Sequence, residues 1–237
     1  MLIKKAMASA AGTATEADLA LINQYALQPL TADEVFVFAV KLCDNAVDRD
    51  SECFPLETLK ALQPMFVGRP GIFDHCWTAK GQTARIFRTE VVQESGEAKN
   101  DATGEAYASL KAYAYIVKTD DTAGIIAQIA GGILKEVSVG CATGKCTCSI
   151  CGKDIWSAEC SHIRGKTYDG KPCIGILKDA VDAYEWSFVA VPAQPKAGVT
   201  KSISKAEPGA PEGDAPSADT LAEMEHALAI EKLRFGG

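Results

Sequence analysis

Six of the chain's nine cysteines fall between Cys141 and Cys173, and four candidate metal donors stand close together there: Cys148-Ser-Ile-Cys151, then Cys160-Ser-His162. No other feature restricts the fold as tightly. Thiolate and imidazole at this spacing match the tetrahedral preference of zinc, and Gly152 lets the first pair fold back as a knuckle. Cys146 and Cys173 compete for the third or fourth position. The alternative is a set of reduced, buried thiols packing as small apolar side chains. Four protein ligands leave no open position for water or substrate, so the expected Zn2+ is structural. It would fix a loop of about 40 residues with little core of its own and add directly to its folding free energy.

An odd cysteine count, and the lack of a Leu-rich secretory core after Lys4 and Lys5, fit a reducing intracellular setting where clustered thiols bind metal rather than pair. Net charge is −7 with a pI near 5.1. That excludes a protein whose main task is coating nucleic acid, because phosphate binding needs clustered Lys and Arg. Residues 145 to 179 are mildly basic, but no aromatic stacking surface accompanies them. The longest nearly uncharged apolar stretch, Gly124 to Leu134, is about half the roughly 20 residues of a membrane-spanning helix, so no membrane partner is expected.

Along the chain, residues 1–30 are Ala-rich and read as an N-terminal arm with one short helix around Glu16 to Gln24. Val35 to Leu42 is a β-branched and aromatic row, apolar except at Lys41, which predicts a buried strand. The acidic stretch Asp44 to Glu52 lacks the central Gly of a calcium loop and reads as a solvated turn. Pro55 opens a helix with Leu56, Leu59 and Leu62 on one face. Gly68 to Gly71 turns into Ile72–Trp77, read as extended; Thr83 to Val92 and Leu110 to Val117 read as strands. Thr119 caps a helix through Ile125, Ile126 and Ile129 that ends at Gly131-Gly132. A short strand, Glu136 to Gly140, precedes the cysteine-rich segment, and a last strand, Tyr184 to Val191, follows it. This pattern predicts an α+β fold built on a mostly antiparallel sheet or barrel. Residues 198–237 read as a Pro/Gly/Ala/Glu linker followed by an amphipathic helix with a Thr220/Glu223 capping box.

With His162 given to the metal and His226 in the tail, His75 is the one histidine left in the body of the fold. Taken together, Phe73-Asp74-His75, Ala84-Arg85-Ile86, Lys135 to Gly140 with Ser138 at its centre, and Tyr184 to Ala193 resemble, in order and character, the prohead (capsid maturation) proteases of tailed bacteriophages. Asn45, Asp48-Arg49 and Phe54-Pro55 are similar to the early part of that family. The resemblance covers roughly residues 33 to 197. It implies a small β-barrel with flanking helices, as in the related herpesvirus assemblins, with residues 31–197 as the protease domain; the cysteine-rich segment 141–178, absent from many members of that family, is read from its own residues as a zinc-knuckle insertion between two strands.

By the same resemblance Ser138 is the nucleophile, His75 its general base, and Glu185 the acid that orients the imidazole, with Asp182 as runner-up. A serine hydroxyl is a poor nucleophile until an imidazole takes its proton, and that imidazole needs a third group to hold it. Cys76 and Cys141 are the cysteine alternatives, each expected on the opposite face of an extended strand from its neighbour in the motif. The implied activity is a serine endopeptidase that cleaves scaffold and major capsid protein, and itself, inside a procapsid in the host cytoplasm. The implied self-association is assemblin-like dimerisation through a helix. The competing reading is a non-enzymatic, zinc-containing binding or structural module of a virus particle.

Overall fold

The apolar run becomes β1 (Val35–Asp44), and it is apolar at nearly every position because both of its faces are covered. Val35, Val37 and Ala39 pack on one side with Phe87, Tyr113 and Tyr115. Phe38, Val40 and Leu42 enter the main core on the other. The computed structural model describes residues 12–94 and 96–200. Within them, α1 (Glu16–Ile22) starts at a Thr15–Asp18 capping box. It sends a fully buried Ile22 into the first of those two clusters. The described part of the expected arm is thus packed on the sheet, and the Gly12 amide donates to the Val37 carbonyl at 3.0 Å. The expected linker and capping-box helix lie outside the described residues from 201 onward, as does His226; 198–200 form a strand.

After β1 come β2 (Glu52–Cys53), α2 (Leu56–Met65), β3 (Pro70–Phe73), β4 (Ala84–Gln93), β5 (Ala108–Val117), α3 (Asp120–Ala130), β6 (Val137–Cys148), the two-residue strands β7 (Thr167–Tyr168) and β8 (Lys171–Pro172), β9 (Gly175–Phe188) and β10 (Gly198–Thr200). The main sheet runs β10-β1-β5-β4-β3-β9-β2, with β6 also paired to β9. Pairing is antiparallel except for β2 and β3, which both run parallel to β9. The fold is therefore α+β with a mixed sheet whose ladder path stays open. A single isolated bridge, Glu136 to Gly198, joins the residue before β6 to β10. Leu59 and Leu62 of α2, Phe66 at its C-cap and Ile129 of α3 close the core from the helical side, with Thr119 and Gly131 capping α3 as expected.

Three differences from the sequence reading bear on the site. β6 continues to Cys148, and β9 begins at Gly175, nine residues before Tyr184. Gly144, Lys145 and the interspersed cysteines carry no two-residue alternation, so the ladder between the strands, running from Val137 opposite Phe188 to Cys148 opposite Gly175, is what makes them β structure. The two ends of the expected insertion, 141–148 and 175–178, thus belong to a long two-stranded ribbon, and 149–174 is a loop that contains the two-residue strands β7 and β8. The third difference is at His75. β3 stops at Phe73, and Asp74 and His75 both adopt left-handed backbone, φ 50° and 53°, instead of continuing the strand.

Candidate active site and metal cluster

β9 lies between β3 and β6, and this order assembles the site. On the β6 side, Ser138 stands opposite Ser187 and Gly140 opposite Glu185. On the β3 side, Ile72 stands opposite Ser187 and Phe73 opposite Phe188. Val137, Trp186 and Phe188 fill the core, so the alternation of the strand turns Ser138, Glu185 and Ser187 to the other face. Directly opposed residues of an antiparallel pair have Cβ atoms about 5 Å apart, which sets Ser138 beside Ser187.

The turn after β3 brings in the histidine. The Asp74 amide donates to the Phe188 carbonyl at 3.0 Å and the Cys76 amide to that of Phe73 at 2.9 Å, locking the left-handed pair. For two non-Gly residues this conformation costs on the order of 1 kcal/mol each, and Asp is among the residues that tolerate it best. The result folds the imidazole back over β9. His75 Nδ1 lies 2.8 Å from Glu185 Oε1, the His75 amide donates to Ser187 Oγ at 3.0 Å, and Ser187 Oγ donates to Glu185 Oε2 at 2.7 Å. The Glu185 side chain is 4% exposed and that of His75 42%. A buried carboxylate is thereby held by two partners while the histidine's other edge remains accessible.

Gly140 belongs to this arrangement, because a Cβ there would fall inside the Glu185 carboxylate. Gly71 plays the same part on the core side, where a Cβ would collide with the Trp186 ring. Neither glycine was singled out in the sequence, and neither was Ser187. The signal available was the spacing Glu185-x-Ser187, which puts the two side chains on one face of a strand. Asp182, the runner-up, pairs with Arg69 at 2.9 Å. Ser138 is half-buried, and its hydroxyl makes no hydrogen bond among the described residues.

The cysteine alternatives are placed differently. Cys141 stands opposite core residue Ala183, after a bulge, on the face away from Glu185. Burial, and then the Glu185 charge, push its thiol up to about 11, far from the thiolate a nucleophile needs. Cys76 is exposed in the left-handed turn, so the expected strand alternation does not apply to it. Trp77, just beyond, contacts Tyr184 with ring centroids 5.4 Å apart, and both are exposed, giving the site an aromatic flank. Ser138 lines a cleft of about 290 Å³ together with Leu42, Phe54, Val139, Leu177, Asp48 and Asp50.

At the far end of the same ribbon, the donor atoms of Cys148, Cys151, Cys160 and His162 lie within 4.8 Å of one another and form a cluster able to hold a metal ion. The knuckle forms as its spacing requires: the Gly152 amide donates to the Cys148 carbonyl at 2.9 Å, with Gly152 at φ 72°. Cys146 is buried in the main core, where burial pushes its thiol up to about 11. No helix among the described residues is long and apolar enough to cross a membrane. No protein-family model, curated protein or solved structure matches the chain.

Proposed function

We propose that the chain is a serine endopeptidase with Ser138 as nucleophile, His75 as general base and Glu185 as the orienting acid. The observation that carries this reading is the buried Glu185 carboxylate on His75 Nδ1, reached across β9 from a strand whose Ser138 shares the same face. By accepting a hydrogen bond from the Nδ1–H, Glu185 fixes the tautomer that leaves Nε2 free to take a proton. In the reaction, the Ser138 hydroxyl proton passes to Nε2 as Oγ bonds to the scissile carbonyl carbon. The C–N bond then breaks as Nε2 returns that proton to the leaving amine, and water hydrolyses the acyl ester by the reverse proton route. Hydrogen bonds of this kind are commonly long in free enzymes and tighten with substrate bound, consistent with the unpaired Ser138 hydroxyl.

The substrates proposed on the resemblance are scaffold and major capsid protein and the chain's own ends, cleaved within a procapsid in the host cytoplasm by a self-associating enzyme. An assemblin-like barrel is the finer fold reading, supported by the Glu136–Gly198 bridge that carries the start of β6 back to β10. Zn2+ is the proposed occupant of the cluster, since thiolate and imidazole donors suit it and four protein ligands give it a structural role. The experiment is the intact mass of the expressed chain over time. Loss of terminal segments that Ser138→Ala abolishes is expected; processing unchanged in Ser138→Ala overturns the assignment. The second reading, a non-enzymatic zinc module, draws on the metal cluster and would be favoured by that second outcome.

A further inference from the structure

The cluster has a fifth donor. Cys173 Sγ, in a fully buried residue, lies 3.6 Å from Cys148 Sγ. Cys151 Sγ lies 3.7 Å from Cys160 Sγ. Cys148, Cys151 and Cys160 stand within 4.8 Å of one another, and Cys173 is near enough to Cys160 and Cys151 to interact with both, so the two separations are read as opposite edges of one group of four sulfurs. A tetrahedral metal with bonds of about 2.3 Å to sulfur requires every S–S edge to be about 3.8 Å, and both edges meet that requirement. His162 is also within 4.8 Å of Cys148, Cys151 and Cys160, by a longer approach to Cys160 than either sulfur edge. Its Nδ1 is 3.9 Å from Cys160 Sγ, and its ring stands edge-on to Tyr168 at a centroid distance of 4.5 Å.

We infer that the metal is held by four thiolates, Cys148, Cys151, Cys160 and Cys173, with His162 outside the ligand set, and that it thereby ties β6 to β9. The ligand set decides what the metal does. Bound through His162, it would close only the 148–162 loop. Bound through Cys173, it joins the last residue of β6 to the segment entering β9, next to the pair Cys148–Gly175. The same ladder carries Ser138 opposite Ser187 and Gly140 opposite Glu185, and it contains two register shifts, between Gly140 and Cys141 and between Ala142 and Thr143. A ribbon with two bulges has alternative registers, and a one-residue slip turns each side chain to the opposite face. A cross-link at Cys148 and Cys173 fixes the count of residues from the metal to Ser138.

The ligand set stands on its own geometry, whereas its bearing on catalysis rests on the peptidase reading, so the test reads metal and register without using activity. Full-length protein is loaded with Co2+ and, separately, with 113Cd2+. The thiolate-to-cobalt charge-transfer band should have four-thiolate intensity, drop by about a quarter in Cys173→Ser and stay unchanged in His162→Ala. Affinity should fall in Cys173→Ser by more than the roughly 10–100-fold that loss of an outer-shell contact costs. The cadmium resonance of the unsubstituted protein, which separates four-sulfur from three-sulfur, one-nitrogen sites, gives the same answer should Cys173→Ser not fold. A three-thiolate spectrum, loss of metal in His162→Ala, or no metal uptake overturns the ligand set. Amide exchange in Ser138→Ala protein, with and without chelator, reads the ribbon: faster exchange over 141–148 and 175–183 on chelation is expected, and unchanged protection there overturns the cross-link.

Discussion

Replacing Glu185 with Gln is the most informative single change, because the two oxygens of Glu185 have different partners and an amide cannot satisfy both. Oε1 faces His75 Nδ1 at 2.8 Å and Oε2 accepts from Ser187 Oγ at 2.7 Å. If the Gln nitrogen faces His75, it donates to Nδ1 and forces the tautomer with the proton on Nε2, which removes the base. If the nitrogen faces Ser187, that hydroxyl oxygen meets two donors, the amide and the His75 N–H at 3.0 Å, and its own proton is left unpaired in a fully buried residue. Such an unmade buried bond costs about 1–3 kcal/mol. The first orientation is therefore favoured, and the loss expected for a misoriented imidazole is about 10²–10⁴-fold, or roughly 3–5 kcal/mol in activation free energy. The assay is the rate at which a fluorophosphonate probe labels the protein, read by intact mass with the modified residue located by peptide mapping. Labelling at Ser138 should slow by that factor in Glu185→Gln, fall further in His75→Ala and change little in Asp182→Asn, whose partner is an exposed Arg69 worth at most about 1 kcal/mol. Labelling within about threefold of the parent in Glu185→Gln, or modification at a residue other than Ser138, would refute the reasoning.

Ser187→Ala removes one acceptor and one donor from a buried site; unfolding free energy should drop by about 2–4 kcal/mol and labelling by about 10–100-fold, whereas an unaltered denaturation midpoint would mean the serine holds neither group. In Gly140→Ala the new methyl displaces the Glu185 carboxylate, so labelling should fall as in Glu185→Gln at a stability cost of about 1–3 kcal/mol, and wild-type labelling would place Glu185 elsewhere. Asp48, pushed up to about 6 chiefly by burial, accepts amides of Asp50 and Glu52 through Oδ1. Its folded value lies above the unfolded one near 3.8, so its contribution is fully present below about pH 4 and is lost as pH rises through about 6. Asp48→Asn keeps both bonds; thermal melts should lose slope across that window, with a gain of no more than about 1 kcal/mol at neutral pH after solvent screening, and a parent melting temperature flat from pH 4 to 6 would contradict this.

Particular residues show how far local pattern reaches. Val35 to Leu42, the helix face Leu56, Leu59 and Leu62, and the Thr119 and Gly131 caps could be read directly, because burial on a strand or helix leaves a period in hydrophobicity and caps need particular side chains. The ribbon could not: Ala142 to Cys148 has no such period, and it is β because β9 is there to pair with it. The N-terminal helix was legible as a helix and illegible as a lid on the sheet, since nothing local says that Ile22 will meet Val35 and Tyr113.

The site divides the same way. Residue chemistry and order along the chain singled out His75, Ser138 and Glu185, because scarce histidine and the resemblance left few candidates, and they marked Cys148-x-x-Cys151 as a knuckle because short-range spacing alone bends the chain there. Tertiary structure decided the choices among equals: Glu185 over Asp182 as the partner of His75, Ser187 and Gly140 as parts of the same arrangement, and Cys173 beside Cys148. Each of those depends on strand register and on a left-handed turn at Asp74 and His75, and register is a property of two paired segments, which neither segment carries by itself.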